Sequence, residues 1–432
     1  MNLIAHSIGS KGGIAFIRRI GSVGWRFRPG SSNVERSLAA YLSTLRRHGC
    51  NATFPITAVV LRRHRDLARC LHEEGVELAV HGYVHTDHTT LSADEQREQL
   101  LRALEVFADA GIPADGLRCP YLRSNEDTAL IAQDLGFRYV SNETILYDVI
   151  DEVSCPRGRW LEYQKALDLY STRPIRQSVA RPRLRGGLVQ IPVSMPDDEI
   201  LVDRLGIHDG TAMGDLWVKQ LDETYTAGDL FTVQIHPERG RICREALNRV
   251  LAAAREKSPP VWIVQLRDLA GWWQRRAGFH LSVEPSGDGW WTVTGAADRD
   301  ATILIRNVLS PMARAWSGSY AVLDRLVGVV QSPVCPVVGV SARSTELASF
   351  LREEGFPVRE AANPADCSVY LDRPGTLGPG EQAAILNDLE RSPAPLVRFS
   401  RWPDCYRSAL AITGDIDALS LWDFISRAWE VL

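Results

Sequence analysis

The 432-residue sequence has no uncharged apolar run near the roughly 18 residues that a membrane-spanning helix needs. It also has no long run of one sign of charge. Its 49 basic and 53 acidic residues leave a formal net charge of -4, which argues against nucleic acid or a membrane surface as the main partner. None of the 8 cysteines forms a CxxC pair. That excludes a zinc ribbon and a small disulfide scaffold, and reads most of the cysteines as reduced core residues. The first 21 residues lack the basic start of a signal peptide, and Lys11, Arg18 and Arg19 break their apolar stretch. We therefore expect a cytoplasmic protein, in which the glycosylation sequons at Asn51 and Asn142 carry little weight. There is no internal repeat and no long low-complexity linker.

What is present is ordinary for a globular protein: 45% hydrophobic and 24% charged residues, with room for two or three domains. From about residue 34 to 276, helices and strands alternate. Val34–His48 has apolar residues at helical spacing, and Gly49 ends it. Ala52–Val60 and Val76–Val80 are short apolar runs of the kind buried on both faces of a parallel sheet, separated by a helix over Arg65–Glu74. Ser92 with Glu95 forms a capping box for a helix that Gly111 stops. A helix over Asp127–Leu135 follows, and further strands are expected at Gly116–Arg118, Phe137–Ser141, Leu188–Val193, Leu230–Ile235 and Val261–Ile263.

This alternation implies an α/β fold with a mostly parallel sheet, as a barrel or doubly wound. The character changes after Trp272-Trp273. His280–Val308 alternates like strands, with Asp288-Gly289 as a hairpin turn. Val337–Leu371 reads strand, helix, strand, with the helix over Ser344–Glu354. A Gly/Pro-rich loop over Pro374–Gly380 precedes a helix over Glu381–Arg391. The chain closes with a strand over Ala409–Thr413, the acidic Gly414-Asp415-Ile416-Asp417, and an amphipathic helix over Leu419–Leu432.

Five clusters carry chemistry. His81-Gly-Tyr-Val-His85 follows a buried strand directly, and ligands gather beyond the carboxyl ends of strands in α/β sheets. Two imidazoles there can converge on a metal; imidazole suits zinc, copper, iron and nickel. The spacing alone is common by chance, and nearby His88 reads as a loop residue. Arg118-Cys-Pro-Tyr121 offers a fixed charge at a strand end, or merely a surface turn. His236, in Gln234-Ile-His-Pro-Glu238, could donate a proton near neutral pH, or be a satisfied, partly buried histidine. Asp197-Asp198 could tune a histidine or bind a cation, or serve as turn residues after Pro196. Asp415 and Asp417 could supply a metal ligand and a base, or cap the last helix.

Taken together, Ala52–Tyr139 resembles the polysaccharide-deacetylase family, the NodB-homology or carbohydrate-esterase-4 group. The resemblance rests on Ala52-Thr-Phe54, Val80-His-Gly-Tyr-Val-His85-Thr-Asp87, Leu91-Ser-Ala-Asp-Glu-Gln96, Arg118-Cys-Pro-Tyr121 and Leu135-Gly-Phe-Arg-Tyr139, in the family's order and spacing. His236 falls where that family places its catalytic histidine. The resemblance covers roughly residues 34–275 and a short C-terminal stretch. One element is out of place. The family carries an aspartate pair at the end of its first strand, where this chain reads Trp25-Arg-Phe-Arg-Pro-Gly30. The nearest match to the missing strand-then-acid element is Ala409–Asp417.

We therefore expect a distorted (β/α) barrel-like catalytic domain, circularly permuted, over residues 1–276. It would be completed by residues 406–432, with a second, smaller α/β region over 277–405. The resemblance implies a divalent metal, zinc first and Co2+, Ni2+ or Fe2+ as alternatives, on His81, His85 and Asp417. It implies Asp415 as base, His236 as proton donor, and the Tyr121 backbone N–H at the oxyanion. Arg118 would orient the base, and Asp197 or Asp198 would orient His236. The expected reaction is hydrolysis of a C–N amide bond in a small N-acylated molecule, most simply N-deacetylation of an amino sugar. Hydrolysis of another linear or cyclic amide, and a non-catalytic carbohydrate-binding role, are the competing readings.

Overall fold

The structure, a computed structural model, describes residues 32–430. The N-terminal stretch and the Trp25–Gly30 position lie outside the described residues. A nine-stranded sheet organises the fold. Its strands are β1 (Thr53–Ile56), β2 (Glu77–Val80), β3 (Gly116–Leu117), β4 (Tyr139–Val140), β5 (Arg183–Arg185), β6 (Leu188–Gln190), β7 (Leu230–Gln234), β8 (Val261–Val264) and β9 (Ser408–Thr413). They run in the order β7-β9-β1-β2-β3-β4-β6-β5, with β8 also paired to β9. All pairings are parallel except β5 with β6. The sheet curls into a half-barrel. The chain leaves β6 for the short strand Val193–Met195, whose Ser194 hydroxyl accepts from the Thr232 amide of β7 at 3.2 Å.

Strand β9 comes from the far end of the sequence yet sits inside this sheet. One edge pairs with β7 from Ala409 to Thr413. The other edge pairs with β8 over Ser408–Ala411, then with β1 at Thr413, and a bridge joins Ile416 to Ile56. Its sequence explains how it can be buried on both faces. Leu410 and Ile412 enter one core with Phe54, Phe231 and Val233. The alternate residues Ala409 and Ala411 face a second core with Trp272, Trp273 and Trp402. Small side chains on that face leave room for the tryptophans.

The helices follow the capping chemistry. Ser92 and Glu95 make the reciprocal box at the start of Ala93–Ala110, which ends at Gly111 in the left-handed region. Two expected strands were misread. The run Ala52–Val60 divides into β1 and a buried helix, Ala58–Arg63, because short apolar runs fit either state. The expected strand Leu188–Val193 divides into β6 and Val193–Met195, which pair in different sheets. Between them stands Pro192, which has no N–H to offer a ladder.

Residues 280–399 form the second region. The strands His280–Gly287 and Trp290–Ala296 join through Asp288 and Gly289, both at positive φ. A four-stranded antiparallel sheet contains Ile303–Arg306, Ala313–Ser317, Tyr320–Leu323 and Leu396–Phe399. Beside it a three-stranded parallel sheet packs against the helices Thr345–Glu353 and Pro379–Arg391. All eight cysteines are free, and Cys119, Cys243, Cys335 and Cys367 are buried.

If β9 is a central strand, shortening Ile412 removes packing that neighbours cannot refill. Ile412→Ala is expected to lower unfolding free energy by about 2–4 kcal/mol in urea titrations. A loss below about 0.5 kcal/mol would show that β9 only lies on the surface of the sheet.

Candidate metal centre

The site collects at the carboxyl ends of β1, β2, β3, β7 and β9. Strand β2 ends at Val80, and Gly82 turns the chain at φ 77° so that His81 and His85 face the same space. A Cβ at Gly82 would meet the Val84 carbonyl oxygen at 2.9 Å, so the turn needs glycine. Glycine is equally required at Gly414, where a Cβ would lie 1.9 Å from the Ile235 carbonyl oxygen. That close crossing lets β9 deliver Asp415 and Asp417 beside the end of β7.

His81 Nε2 lies 3.3 Å from Asp417 Oδ1, and His85 Nε2 lies 3.3 Å from Asp417 Oδ2. Candidate ligand atoms of the three residues all lie within 4.8 Å of one another. The protonation pattern suits a cation. His81 Nδ1 lies 2.7 Å from the Arg118 carbonyl oxygen and must donate to it, which turns Nε2 toward Asp417. Burial, then the Arg427 charge, pushes the His85 imidazole down to about 4, so it is neutral at pH 7. Asp417 is also buried, which alone would raise its carboxyl; His85 and Arg427 outweigh that and hold it well below the usual carboxylate range. Asp417 Oδ1 is a buried acceptor with no hydrogen-bond donor among the described residues. Two imidazole nitrogens converging on an ionised carboxylate are a donor set that suits a divalent metal.

Asp415 stands alongside. Its Oδ1 accepts from Arg118 Nη1 at 3.1 Å, its Oδ2 from Gln234 Nε2 at 3.1 Å, and Oδ2 lies 3.8 Å from His81 Nε2. Arg118 is fully buried and is itself held by Thr413 and Ser141. Tyr121 occupies the left-handed region at φ 59°, strained for a non-glycine residue, with its ring edge-on to His85 at 4.5 Å.

His236 follows β7. Its ring Nδ1 donates to Asp198 Oδ1 at 2.7 Å, and its backbone N–H donates to Asp198 Oδ2 at 2.8 Å. Burial alone would lower its pKa, but the Asp198 carboxylate and its hydrogen bond raise it well above 6.5. Asp198 is buried too, yet His236 and Arg239 hold its carboxyl below the ordinary value. Asp197 does not touch His236. It accepts from the Ile200 amide at 2.8 Å, and burial followed by the Asp198 charge raises its pKa. Of the adjacent pair, only Asp198 orients the histidine.

The structure thus brings His81, His85, Asp415, Asp417 and Arg118 into one cluster and places the His236–Asp198 pair beside it. His88 is buried, with Nδ1 3.7 Å from the Cys119 thiol, and stands outside the candidate ligand group. Asn142, read in the sequence as a sequon, is buried and accepts from the Cys119 amide. Sequence reasoning missed Arg427. It sits on the last helix, Leu421–Glu430, and its Nη1 lies 3.2 Å from Asp417 Oδ2. No motif marks it; only its position two turns after the Asp-x-Asp segment could have drawn attention.

Residues 26–140 match the family model for polysaccharide deacetylase. The chain carries a polysaccharide deacetylase domain. Among curated proteins none matches the chain. Among solved structures, it is similar to a probable polysaccharide deacetylase from Pseudomonas aeruginosa PAO1, at 19% identity and TM-score 0.44, over 55% of this chain and 73% of that one. It is also similar to Puue allantoinase, at 19% identity and TM-score 0.43, over 55% of this chain and 72% of that one.

The His236 environment gives a measurable pH dependence. A raised folded-state pKa means that the pair's stabilisation is complete below about pH 6.5 and is lost as pH rises through the folded value. On the acid side it is lost as Asp198 protonates. In a 15N NMR titration of metal-free protein, His236 should still be protonated well above neutrality, and Asp198→Asn should bring its midpoint down by more than one unit. A midpoint near 6.5 in both proteins would rule out the charge-paired arrangement.

Proposed function

We propose that this deacetylase domain hydrolyses the C–N bond of an N-acylated small molecule, with an N-acetylated amino sugar as the first choice. The observation that carries this reading is the convergence of His81, His85 and Asp417 next to the Asp415 carboxylate, at the same sheet end as the protonated His236. An amide hydrolase needs an acid and a base as separate groups, because water must lose a proton as the leaving amine gains one.

His81, His85 and Asp417 would hold a divalent ion, with zinc the best match to two imidazoles and one carboxylate. When bound, such an ion polarises the amide carbonyl and lowers the pKa of water. Asp415 takes the proton from the attacking water. Its two oxygens are fixed by Arg118 and Gln234, so the carboxylate cannot swing to meet another partner. His236 carries the proton that the leaving nitrogen needs, and Asp198 keeps Nδ1 protonated and Nε2 turned outward. The backbone N–H of Tyr121, on its strained turn, is the donor that the family resemblance assigns to the oxyanion.

The roles separate by experiment. Wild-type protein purified gently should contain about one zinc-like ion per chain, and His81→Ala should contain almost none. Asp415→Asn and His236→Ala should keep the metal while losing about a hundredfold to ten-thousandfold in kcat. A panel of N-acetylated amino sugars and cyclic amides, with the released amine detected, identifies the substrate class. Equal metal content in wild type and His81→Ala, with no amine released from any substrate, would remove the hydrolase reading.

A further inference from the structure

A cleft of about 760 Å³ lies between the sheet and the second region, away from the metal centre. Its walls include Asp229 and Arg407, at the amino ends of β7 and β9. Asp415 and His236 stand at the opposite ends of the same strands. Five residues of β7 separate the two sites, roughly 17 Å of extended chain. A molecule seated in the cleft therefore does not touch the catalytic groups.

The cleft combines fixed aromatic surface with a lining of no net charge, four arginines against four carboxylates. Trp316, near the tip of the Ala313–Ser317 and Tyr320–Leu323 hairpin, lines one wall. Its indole N–H donates to the Cys405 carbonyl oxygen at 2.9 Å, and Arg407 lies over the ring at 5.6 Å, so the ring plane is set. Tyr320 is anchored through its hydroxyl to Glu390 at 3.2 Å. Four of the charged lining groups are held in ion pairs with one another. Arg401 pairs with Glu354 at 3.2 Å and Asp229 at 3.5 Å, and Arg398 pairs with Glu390 at 3.2 Å. Arg407 donates to the Thr226 carbonyl oxygen rather than to a carboxylate, but the lining sets four arginines against four carboxylates, so an ionic ligand would find no net charge to attract it. Exposed Asn387, on the helix facing the hairpin, offers amide donors and an acceptor with no partner among the described residues.

A ring of fixed orientation beside unused polar groups, with no net charge to satisfy, suits a molecule that is apolar on its faces and hydroxylated at its edges. Sugar rings have that form: their axial C–H bonds stack on an aromatic face while their hydroxyls bond to amides. We propose that the cleft is a binding site for a neutral oligosaccharide, separate from the catalytic centre. Such a site would hold a saccharide chain at a second point, leaving the metal centre free to act on another part of it. The binding itself does not depend on the hydrolase reading.

The test uses the full chain treated with a chelator, so that no turnover intervenes. Saturation-transfer NMR and calorimetry are run with tetra-N-acetylchitotetraose, cellotetraose and maltotetraose as neutral probes, and tetragalacturonate as the anionic probe. At least one neutral probe should bind. Trp316→Ala should weaken it at least about tenfold, Trp316→Phe should restore most of the affinity, and Asn387→Ala should weaken it severalfold. Asp415→Asn should bind as wild type does. No binding of any neutral probe, unchanged affinity in Trp316→Ala, a Trp316→Phe as weak as Trp316→Ala, or preference for tetragalacturonate would each overturn the proposal.

Discussion

The pairing of β9 with three other strands is the constraint on which the site depends. Asp415 and Asp417 reach the two histidines only because Ser408–Thr413 fills the gap between β7 and β1. Without it, the backbone groups of β7 and β1 that now pair with β9 would be buried without partners, a cost comparable to several lost hydrogen bonds. The same strand sets the depth of the carboxylates. Its small residues lie against the tryptophans that carry the second region, and its large ones lock into the main core. Stability and chemistry are thus coupled through one six-residue element.

Electrostatics then divides the site into two parts with opposite requirements. Around Asp417, burial keeps His85 neutral, and the bond from His81 Nδ1 to the Arg118 carbonyl turns its Nε2 toward the carboxylate. A neutral imidazole is the form that can ligate. Around His236, Asp198 holds the ring protonated, the state in which imidazole can donate. Histidines of equal intrinsic pKa are driven in opposite directions, His85 by burial and His236 by the Asp198 carboxylate that outweighs its burial. Arg427 sharpens the first part. It occupies Asp417 Oδ2, leaving Oδ1 as the oxygen without a donor.

Much of this was legible in the sequence, for physical reasons. His81 and His85 could be placed because a buried strand followed by glycine forces a turn at a sheet end. The helix Ala93–Ala110 could be placed because Ser92, Glu95 and Gly111 satisfy its ends. The placement of Asp415 and Asp417 beside the histidines was legible through an absence, since residues 25–30 supply no carboxylate. Other features were not. The run Ala52–Val60 gives the same apolar signal for a strand and for a buried helix. Pro192 splits one expected strand between two sheets, a matter of pairing that local pattern does not encode. Asp197 and Asp198 are chemically identical neighbours, and only the packing around Ile200 and His236 tells them apart. Arg427 and the Trp316 cleft depend on contacts between segments far apart in the chain.

The central claim is that a C-terminal aspartate and two N-terminal-half histidines form one metal centre. Anomalous diffraction from crystals soaked in zinc, recorded on both sides of the zinc absorption edge, tests it most directly. The account predicts a single strong peak about 2.0–2.2 Å from His81 Nε2, His85 Nε2 and an Asp417 carboxylate oxygen. A peak bound by other residues, or one that touches the histidines while Asp417 stays with Arg427 alone, would contradict it.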